Sequence, residues 1–182
     1  YDLVGFTGTG IAHLNWKPFS ENVAERAARL VRDKRMGPAI IVFPDCFTSL
    51  GGNQYVNSSA LGRYADYLVD EIVPFVDREF RTLARREHRG CFGKSSGGYG
   101  VMLHGMKYAK YWGAIASHSG DAYFEFVYWH DWPNTLNELA KYRRSKTSKN
   151  LAKGLDDGRI KRFLNHVWKR EKLSGKEGHA IM

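Results

Sequence analysis

The segment "RGCFGKSSGGYG", residues 89–100, contains two overlapping functional patterns that belong to different folds. G-K-S ends the phosphate-binding loop of nucleotide-binding proteins, and G-x-S-x-G surrounds the nucleophilic serine of many hydrolases. The phosphate loop requires a glycine five residues before Gly93, and that position is His88. The strand residues Cys91 and Phe92 also run directly up to Gly93, which leaves the loop too short. The segment therefore disfavours a nucleotide-binding protein.

The same segment fits a nucleophile elbow, a sharp turn between a strand and a helix that exposes a serine above a sheet. Such a turn needs glycines two residues before and two residues after the serine, because neighbouring backbone leaves no room for side chains. Gly93 and Gly97 occupy these positions around Ser95. Ser96 does not fit the register, because Lys94 lies two residues before it. We therefore predict a strand before Ser95, a helix after it, and Ser95 as the nucleophile.

Alternating strand and helix patterns run through residues 1–120. The predicted strands cover 2–6, 39–45, 88–93 and 112–120, and the predicted helices cover 21–35, 62–80 and 96–108. Ser20 is the expected N-cap of the first helix, and Pro74 is expected to kink or split the second. This order predicts a mostly parallel sheet with right-handed crossovers and helices on both faces.

Residues 121–182 have a different residue pattern from residues 1–120. An aromatic stretch at 123–132 is followed by helical patterns at 133–144, 148–153 and 158–170, without a further buried strand. The aromatic residues could form a wall for an acyl or aryl group, or the seam on which a cap packs, and the seam is favoured. We therefore predict two regions: residues 1–120 as the core and 121–182 as a helical basic cap or insertion.

The net charge is also uneven. All of the formal +9 lies in residues 141–182, with 13 Lys/Arg against 4 Asp/Glu, whereas residues 1–140 are neutral. No nucleic-acid recognition fold accompanies this charge, so we do not expect nucleic acid as a partner. A solvated face is favoured over an acidic substrate or surface.

The chain is long enough for one domain with a core, and no apolar run predicts a membrane span. Two cysteines do not make a disulfide framework, so we expect reduced thiols and a cytoplasmic location. No signal peptide is apparent, and the first residue is Tyr1 rather than Met. We therefore expect residues before position 1. The sequence contains no metal-binding motif, and no cofactor is expected.

A nucleophile elbow also needs two amide N–H groups that stabilise the oxyanion. One belongs to the residue after the nucleophile, Ser96, at a helix N-terminus. The other comes from a glycine-rich loop after an earlier strand. The segment "LVGFTGTG", residues 3–10, is in the right order, so Phe6 N–H is the candidate. An ordinary glycine turn is the alternative.

A long polar loop at 46–60 follows the predicted strand 39–45 and should overlook the nucleophile. The residues that we expect to line a substrate pocket there are Cys46, Phe47, Asn53, Gln54 and Tyr55. A self-packed surface loop is an equal alternative. Cys46 is not expected to be a nucleophile, because no base is identifiable beside it.

Several segments resemble the putative esterase family of α/β-hydrolases, which includes S-formylglutathione hydrolases, feruloyl esterases, enterochelin esterases and mycolyltransferases. The similar segments are "GKSSGGYG" (93–100), "DLVGFTG" (2–8), "EIVPFVDREFRT" (71–82) and "WGAIASHSG" (112–120). Val4 stands where the family often has a histidine. The resemblance covers about residues 1–120 and implies the α/β-hydrolase fold, hydrolysis of small carboxylic esters, and a possible homodimer.

The remaining triad members are expected in the chain order serine, Asp/Glu, histidine. The family places both on loops after later strands, and no such strands are recognisable before residue 182. We therefore expect the chain to be an incomplete portion of the fold, with the acid and histidine beyond Met182. His118, near Asp121 in "SHSGDA", is the in-chain alternative for the base.

The predicted function is a serine esterase that forms an acyl-enzyme on Ser95. Two alternatives stay open. One is an acyltransferase on the same fold. The other is a non-catalytic hydrolase-like domain that binds a partner through its basic region.

Overall fold

The computed structural model describes residues 1–48, 50–59, 61–142 and 158–174. The chain divides into two compact units, Tyr1–Ala122 and Tyr123–Met182. The strands of the first unit are β1 (Asp2–Leu3), β2 (Asn57–Ser58), β3 (Gly62–Arg63), β4 (Gly90–Lys94) and β5 (Ala114–His118). Its α-helices are α1 (Val23–Arg32), α2 (Tyr64–Asp66), α3 (Val73–Glu79) and α4 (Ser96–Lys107). Short 3-10 helices cover Gly10–Leu14 and Arg86–His88.

The central feature of the first unit is a three-stranded parallel sheet in the order β1-β4-β5. Gly93 of β4 pairs in register with Leu3 on one side and Ser117 on the other. Helix α4 follows β4 directly and packs against all three strands. The predicted strand, turn and helix around Ser95 are thus confirmed, and the turn lies at the carboxyl edge of the sheet.

Two predicted strands differ from the structure. The strand predicted at 2–6 is limited to β1, because the chain turns at Gly5, whose carbonyl accepts from Gly8 N–H at 3.0 Å. The buried strand predicted at 39–45 is wrong: this segment is not a strand, and Ile40 is 48% exposed. Its bond to β1 runs from Asp2 N–H to the Val42 carbonyl at 2.9 Å. Because β1 has two residues, it offers too short a partner for a regular ladder.

Helix α1 begins later than predicted. Its N-cap is Asn22 rather than Ser20, and Asn22 forms a reciprocal capping box with Glu25. The Asn22 side chain accepts from Glu25 N–H, and the Glu25 carboxylate accepts from Asn22 N–H, each at 2.9 Å. The capping box satisfies two backbone donors at the helix start, and this local pairing sets the boundary.

The helical region around Pro74 is split, as predicted, although the break lies before the proline. Between α2 and α3, residues Tyr67–Ile72 form a π-helical segment, in which Val73 N–H donates to the Leu68 carbonyl. Pro74 lies in the first turn of α3 and has no N–H to give to a preceding carbonyl. The lost donor accounts for the wider turn that precedes it.

The loop predicted at 46–60 contains a strand that the sequence pattern did not indicate. β2, in the last part of this loop, pairs antiparallel with β3. The Asn57 side chain supports this small hairpin, because its oxygen accepts from Ala65 N–H at 3.1 Å. The hydrophobic core lies next to the hairpin and joins β1, the π-helical segment, β4 and α4. Its buried members include Leu3, Val4, Cys46, Tyr55, Leu68, Val69, Val73, Cys91, Val101 and Trp112.

The second unit is helical in its described part. It contains α5 (Phe124–Val127), α6 (Trp132–Ala140) and α7 (Arg159–Ser174). Tyr142, which follows α6, contacts the ring of Phe163 of α7 edge-on at 5.6 Å. The helix predicted at 148–153 and most of the basic run at 141–150 lie outside the described residues.

Candidate active site

Ser95 occupies the turn between β4 and α4 with φ 56° and ψ −125°. This φ is unfavourable for any side chain larger than hydrogen. A Cβ at Gly97 would overlap the Leu3 carbonyl oxygen, and a Cβ at Gly93 would lie 2.7 Å from the Gly97 carbonyl carbon. Both glycines are therefore required by close backbone approach, as the G-x-S-x-G pattern predicts.

The strained turn is held by backbone hydrogen bonds from two directions. Ser95 N–H donates to the His118 carbonyl at the end of β5, at 3.1 Å. Tyr99 N–H in α4 donates to the Ser95 carbonyl at 2.9 Å. The loop after β1 approaches from the other side, since a Cβ on Gly5 would lie 3.4 Å from Ser95 Cβ. Ser95 is thus fixed between the segments that follow all three strands.

Phe6 and Ser96, the residues of the two candidate oxyanion amides, border one small cavity. Ser96 is the first residue of α4, where backbone N–H groups have no acceptor within the helix. Phe6 lies in the loop after β1, and the next amide, Thr7 N–H, is occupied by the Gly51 carbonyl at 3.1 Å. Neither Phe6 N–H nor Ser96 N–H donates to a backbone carbonyl in the part of the chain that the structure describes. Both amides are therefore available to a ligand.

The cavity has a volume of about 10 Å³, which is room for about one water molecule. Its walls are Val4, Gly5, Phe6, Gly8, Cys46, Gly52, Asn53, Gln54, Tyr55 and Ser96. Four of the five residues predicted to line a substrate pocket are among them: Cys46, Asn53, Gln54 and Tyr55. The fifth, Phe47, is not part of this wall and is 42% exposed.

The Asn53 side chain stabilises the predicted pocket loop through hydrogen bonds to the loop's own backbone. Its side-chain amide donates to the Cys46 carbonyl, and its side-chain oxygen accepts from Tyr55 N–H at 2.7 Å. Both polar atoms of the Asn53 side chain are therefore engaged inside the loop. Asn53 thus lies in the cavity wall and also shapes it.

A buried hydrogen-bonded chain connects this loop to α4. Tyr55 Oη donates to the Val4 carbonyl at 2.9 Å. His104 is fully buried in α4; its Nε2–H donates to the Tyr55 carbonyl at 2.9 Å, and its Nδ1 accepts from Trp112 Nε1–H at 3.3 Å. Burial lowers the pKa of His104, because the charged imidazolium is poorly solvated there. The neutral ring, engaged at both nitrogens, is a structural element and not a proton acceptor for Ser95.

The two cysteines are free, buried and unsuited to nucleophilic attack. Burial raises the pKa of Cys46 to about 12 and that of Cys91 to about 12. The reactive thiolate is therefore scarce near neutral pH. This agrees with the expectation that Cys46 is not a nucleophile.

Asp121 is the site residue that the sequence analysis did not assign. It follows β5, and its carboxylate accepts from Ser96 Oγ at 2.9 Å and from Ser95 Oγ at 3.4 Å. The sequence signal was its place after a strand end in "SHSGDA", but spacing alone does not show that Asp121 faces the elbow. His118, the in-chain alternative for the base, is exposed at the end of β5.

Backbone strain is concentrated around this site. Five non-glycine residues in the segments that meet here have φ between 50° and 61°: Thr7, Gln54, Tyr55, Ser95 and Ser119. Such conformations persist where the surrounding structure over-determines them, and they are frequent at active sites. The carboxyl edge of the sheet thus has the character of a functional site.

Comparisons with known proteins agree with this geometry. A family described as "Putative esterase" matches residues 19–174. The chain belongs to this esterase family. Esterase MT1326 and Esterase Rv1288, from the CDC 1551 / Oshkosh and ATCC 25618 / H37Rv strains of Mycobacterium tuberculosis, are each 34% identical to this esterase-family chain over 99 residues. Each match covers 50% of this chain and 21% of the relative, so the chain spans about a fifth of these proteins.

A solved structure of a ferulic acid esterase resembles the esterase-family chain with a TM-score of 0.55 and 24% sequence identity. The match covers 66% of this chain and 44% of that structure. At this identity the likeness concerns the fold, and together with the parallel sheet it confirms the α/β-hydrolase type. No helix in the described part of this chain has the length and apolar character needed to cross a membrane.

Proposed function

We propose that this protein is a serine esterase that cleaves small carboxylic esters through an acyl-enzyme on Ser95. The observation that carries the proposal is the strained Ser95 at a strand-to-helix turn of an esterase-family chain. The turn leaves Ser95 half-buried at the sheet edge, next to Ser96, which lines a small cavity together with Phe6.

In the proposed reaction, Ser95 Oγ attacks the ester carbonyl carbon and gives up its proton to a base. The carbonyl oxygen becomes an oxyanion, which accepts hydrogen bonds from Phe6 N–H and Ser96 N–H. Collapse of this intermediate expels the alcohol, which takes the proton back from the base, and leaves an acyl group on Ser95. Water then attacks the acyl-enzyme by the same steps and releases the acid.

We place the base and its acid partner on a histidine and a carboxylate outside residues 1–182, in line with the chain order of this fold. His104 is unsuited to the role because both of its ring nitrogens are engaged in the core. His13 is also engaged, with its Nδ1 2.5 Å from the carboxylate of the buried Asp2. Cys46, Gln54 and the loop that Asn53 supports are proposed to border the bound ester.

Fluorophosphonate labelling of the full-length protein, followed by peptide mass spectrometry, tests the proposal. We expect an adduct on Ser95 in the tryptic peptide that ends at Lys107. Ser95→Ala should abolish the adduct and lower kcat for short or aromatic esters by roughly 10⁶-fold, without loss of folding. Ser96→Ala is the matched control and should still be labelled on Ser95.

Absence of an adduct on the folded full-length protein would contradict the esterase mechanism and favour a binding domain. If the protein is labelled, product analysis in the presence of an added alcohol separates hydrolysis from acyl transfer. A free acid as the main product supports the esterase, and a new ester supports the transferase.

A further inference from the structure

We propose that Asp121 is a positioning residue, which fixes the peptide that joins Ser95 to Ser96. This inference rests on the proposed function, because that peptide unit carries both the nucleophile and one oxyanion amide. Asp121 lies in the loop after β5, so it would act on the elbow from a separate strand of the sheet.

The side-chain contacts define the first part of this role. Oδ2 of Asp121 accepts from Ser96 Oγ at 2.9 Å, and Oδ1 accepts from Ser95 Oγ at 3.4 Å. An ionised carboxylate has acceptors and no donor, so the Ser96 hydroxyl, at 2.9 Å, directs its proton towards it. The 3.4 Å contact to Ser95 Oγ is longer than an ordinary O–H···O hydrogen bond, so the Ser95 hydroxyl lies next to Asp121 while its proton stays free to pass to the base.

The backbone contacts define the second part. Asp121 N–H donates to the Ser95 carbonyl at the long distance of 3.4 Å, and Tyr99 N–H donates to the same oxygen at 2.9 Å. In a planar trans peptide, the carbonyl of one residue and the N–H of the next point in opposite directions. Contacts to the Ser95 carbonyl and to the Ser96 side chain therefore also fix the direction of Ser96 N–H, the oxyanion donor.

The loop that carries Asp121 is itself anchored to α4. Ser117 Oγ in β5 donates to the Gly98 carbonyl at 3.0 Å. A Cβ on Gly98 would lie 2.8 Å from Gly120 Cα, so the two backbones are in direct contact. This close approach places the carboxylate of Asp121, the residue after Gly120, against the elbow. The backbone of Asp121 is therefore held in place while its side chain contacts Ser95 and Ser96.

The test compares Asp121→Asn with the parent in the full-length protein. Asn has the same shape, but one of its two terminal groups is a donor and cannot accept from a hydroxyl. We expect the rate constant of fluorophosphonate labelling and kcat to fall about 10- to 100-fold, with KM within about twofold, as for a displaced nucleophile. Ser96→Ala should lower the labelling rate constant and kcat by a smaller factor. The double variant should be labelled no more slowly than Asp121→Asn, because both changes remove the same contact.

A second readout is independent of activity. Hydrogen exchange at the backbone amides of the segment that ends at Lys107 should be faster in Asp121→Asn, because the elbow has lost the hydrogen bond between Ser96 Oγ and the Asp121 carboxylate. Asp70→Asn is the matched control: Asp70 also accepts from a hydroxyl, Tyr111 Oη at 3.0 Å, but lies outside the site. This control should match the parent in labelling and in exchange at the elbow. If Asp121→Asn does not fold, Ser96→Ala carries the test.

Parental labelling together with parental exchange in Asp121→Asn would overturn the inference. Slower labelling without faster exchange would also overturn it, because Asp121 would then act through its charge and not by positioning. If the parent itself is never labelled, the proposed esterase function fails, and the exchange rates alone decide whether Asp121 positions the turn.

Discussion

Two segments meet beside Ser95, and they are held in place in different ways. The nucleophile elbow is fixed by backbone crowding, with Gly93 and Gly97 against each other and against the Leu3 carbonyl. The pocket loop, residues 46–59, is fixed by buried side-chain hydrogen bonds that centre on Asn53 and Tyr55. The folding stability of the elbow should therefore be sensitive to added volume. The stability of the pocket loop should be sensitive to the loss of a polar atom.

The largest effect is expected from added volume at the elbow. Gly97→Ala would force a methyl group into the Leu3 carbonyl, which is backbone and cannot rotate away. We expect a loss of about 4 kcal/mol or more in the free energy of unfolding, or failure to fold. Urea denaturation measures the loss. Gly37→Ala is the control: nothing lies within 4 Å of its Cβ position, so its stability should stay within about 1 kcal/mol of the parent. Equal stability of the two variants would show that backbone crowding at Gly97 does not fix the elbow.

A smaller effect is expected from the loss of polar atoms in the pocket loop. Asn53→Ala leaves the Cys46 carbonyl and Tyr55 N–H without the partners that Asn53 provides. Unsatisfied buried groups of this kind cost about 1–3 kcal/mol, so we expect about 2 kcal/mol less stability by urea denaturation. The exposed Asn134→Ala in α6 should change stability by less than about 0.5 kcal/mol. A neutral Asn53→Ala would show that the loop does not depend on these bonds.

The smallest effect is expected from a buried histidine next to the pocket loop, and it depends on pH. The pKa of His104 in the folded protein is lowered from its ordinary value of 6.5, so below that pH the unfolded chain binds more protons than the folded protein. The contribution of neutral His104 is therefore fully present above pH 6.5 and is lost as the pH falls towards its folded pKa. Glutamine cannot titrate, so the stability advantage of the parent over His104→Gln should be about 1 kcal/mol at pH 8 and should shrink towards pH 5.

Denaturation at a series of pH values tests this expectation. His130→Gln is the control, because the side chain of His130 is 77% exposed and its replacement leaves the core unchanged. It should follow the parent at every pH. A constant difference between the parent and His104→Gln from pH 8 to pH 5 would contradict the pKa shift.

The elbow could be recognised from the sequence because its constraint is local. Gly93, Ser95 and Gly97 stand within five residues, and the turn between a strand and a helix dictates the same residue types wherever it occurs. The strand predicted at 39–45 is wrong because strand formation does not depend on local sequence alone. Its apolar residues resemble a strand, but a strand also needs a partner of sufficient length, and β1 has only two residues.

Sequence patterns do not predict the contacts around the elbow, because these contacts join residues that are distant along the chain. Asp121 reaches Ser96 across 25 residues, and His104 reaches Tyr55 across 49. Neither the spacing nor the residue types identify these pairs without the sheet that brings them together. The sequence therefore predicts the turn around Ser95, whereas the contacts of Asp121 and the buried hydrogen bonds of His104 follow only from the three-dimensional arrangement.

The strained residues around the site have a consequence for protein engineering. Conformations such as those of Thr7, Gln54 and Ser95 cost on the order of 1 kcal/mol or more each. A domain of this size is usually stable by about 5–15 kcal/mol, so several such residues amount to a sizeable fraction of that margin. Glycine at Thr7 or Gln54 would relax the backbone, and the same change would loosen the segments that surround Ser95. If Ser95 acts as proposed, the same few backbone torsions set both the resistance of this fold to heat and the speed of its reaction.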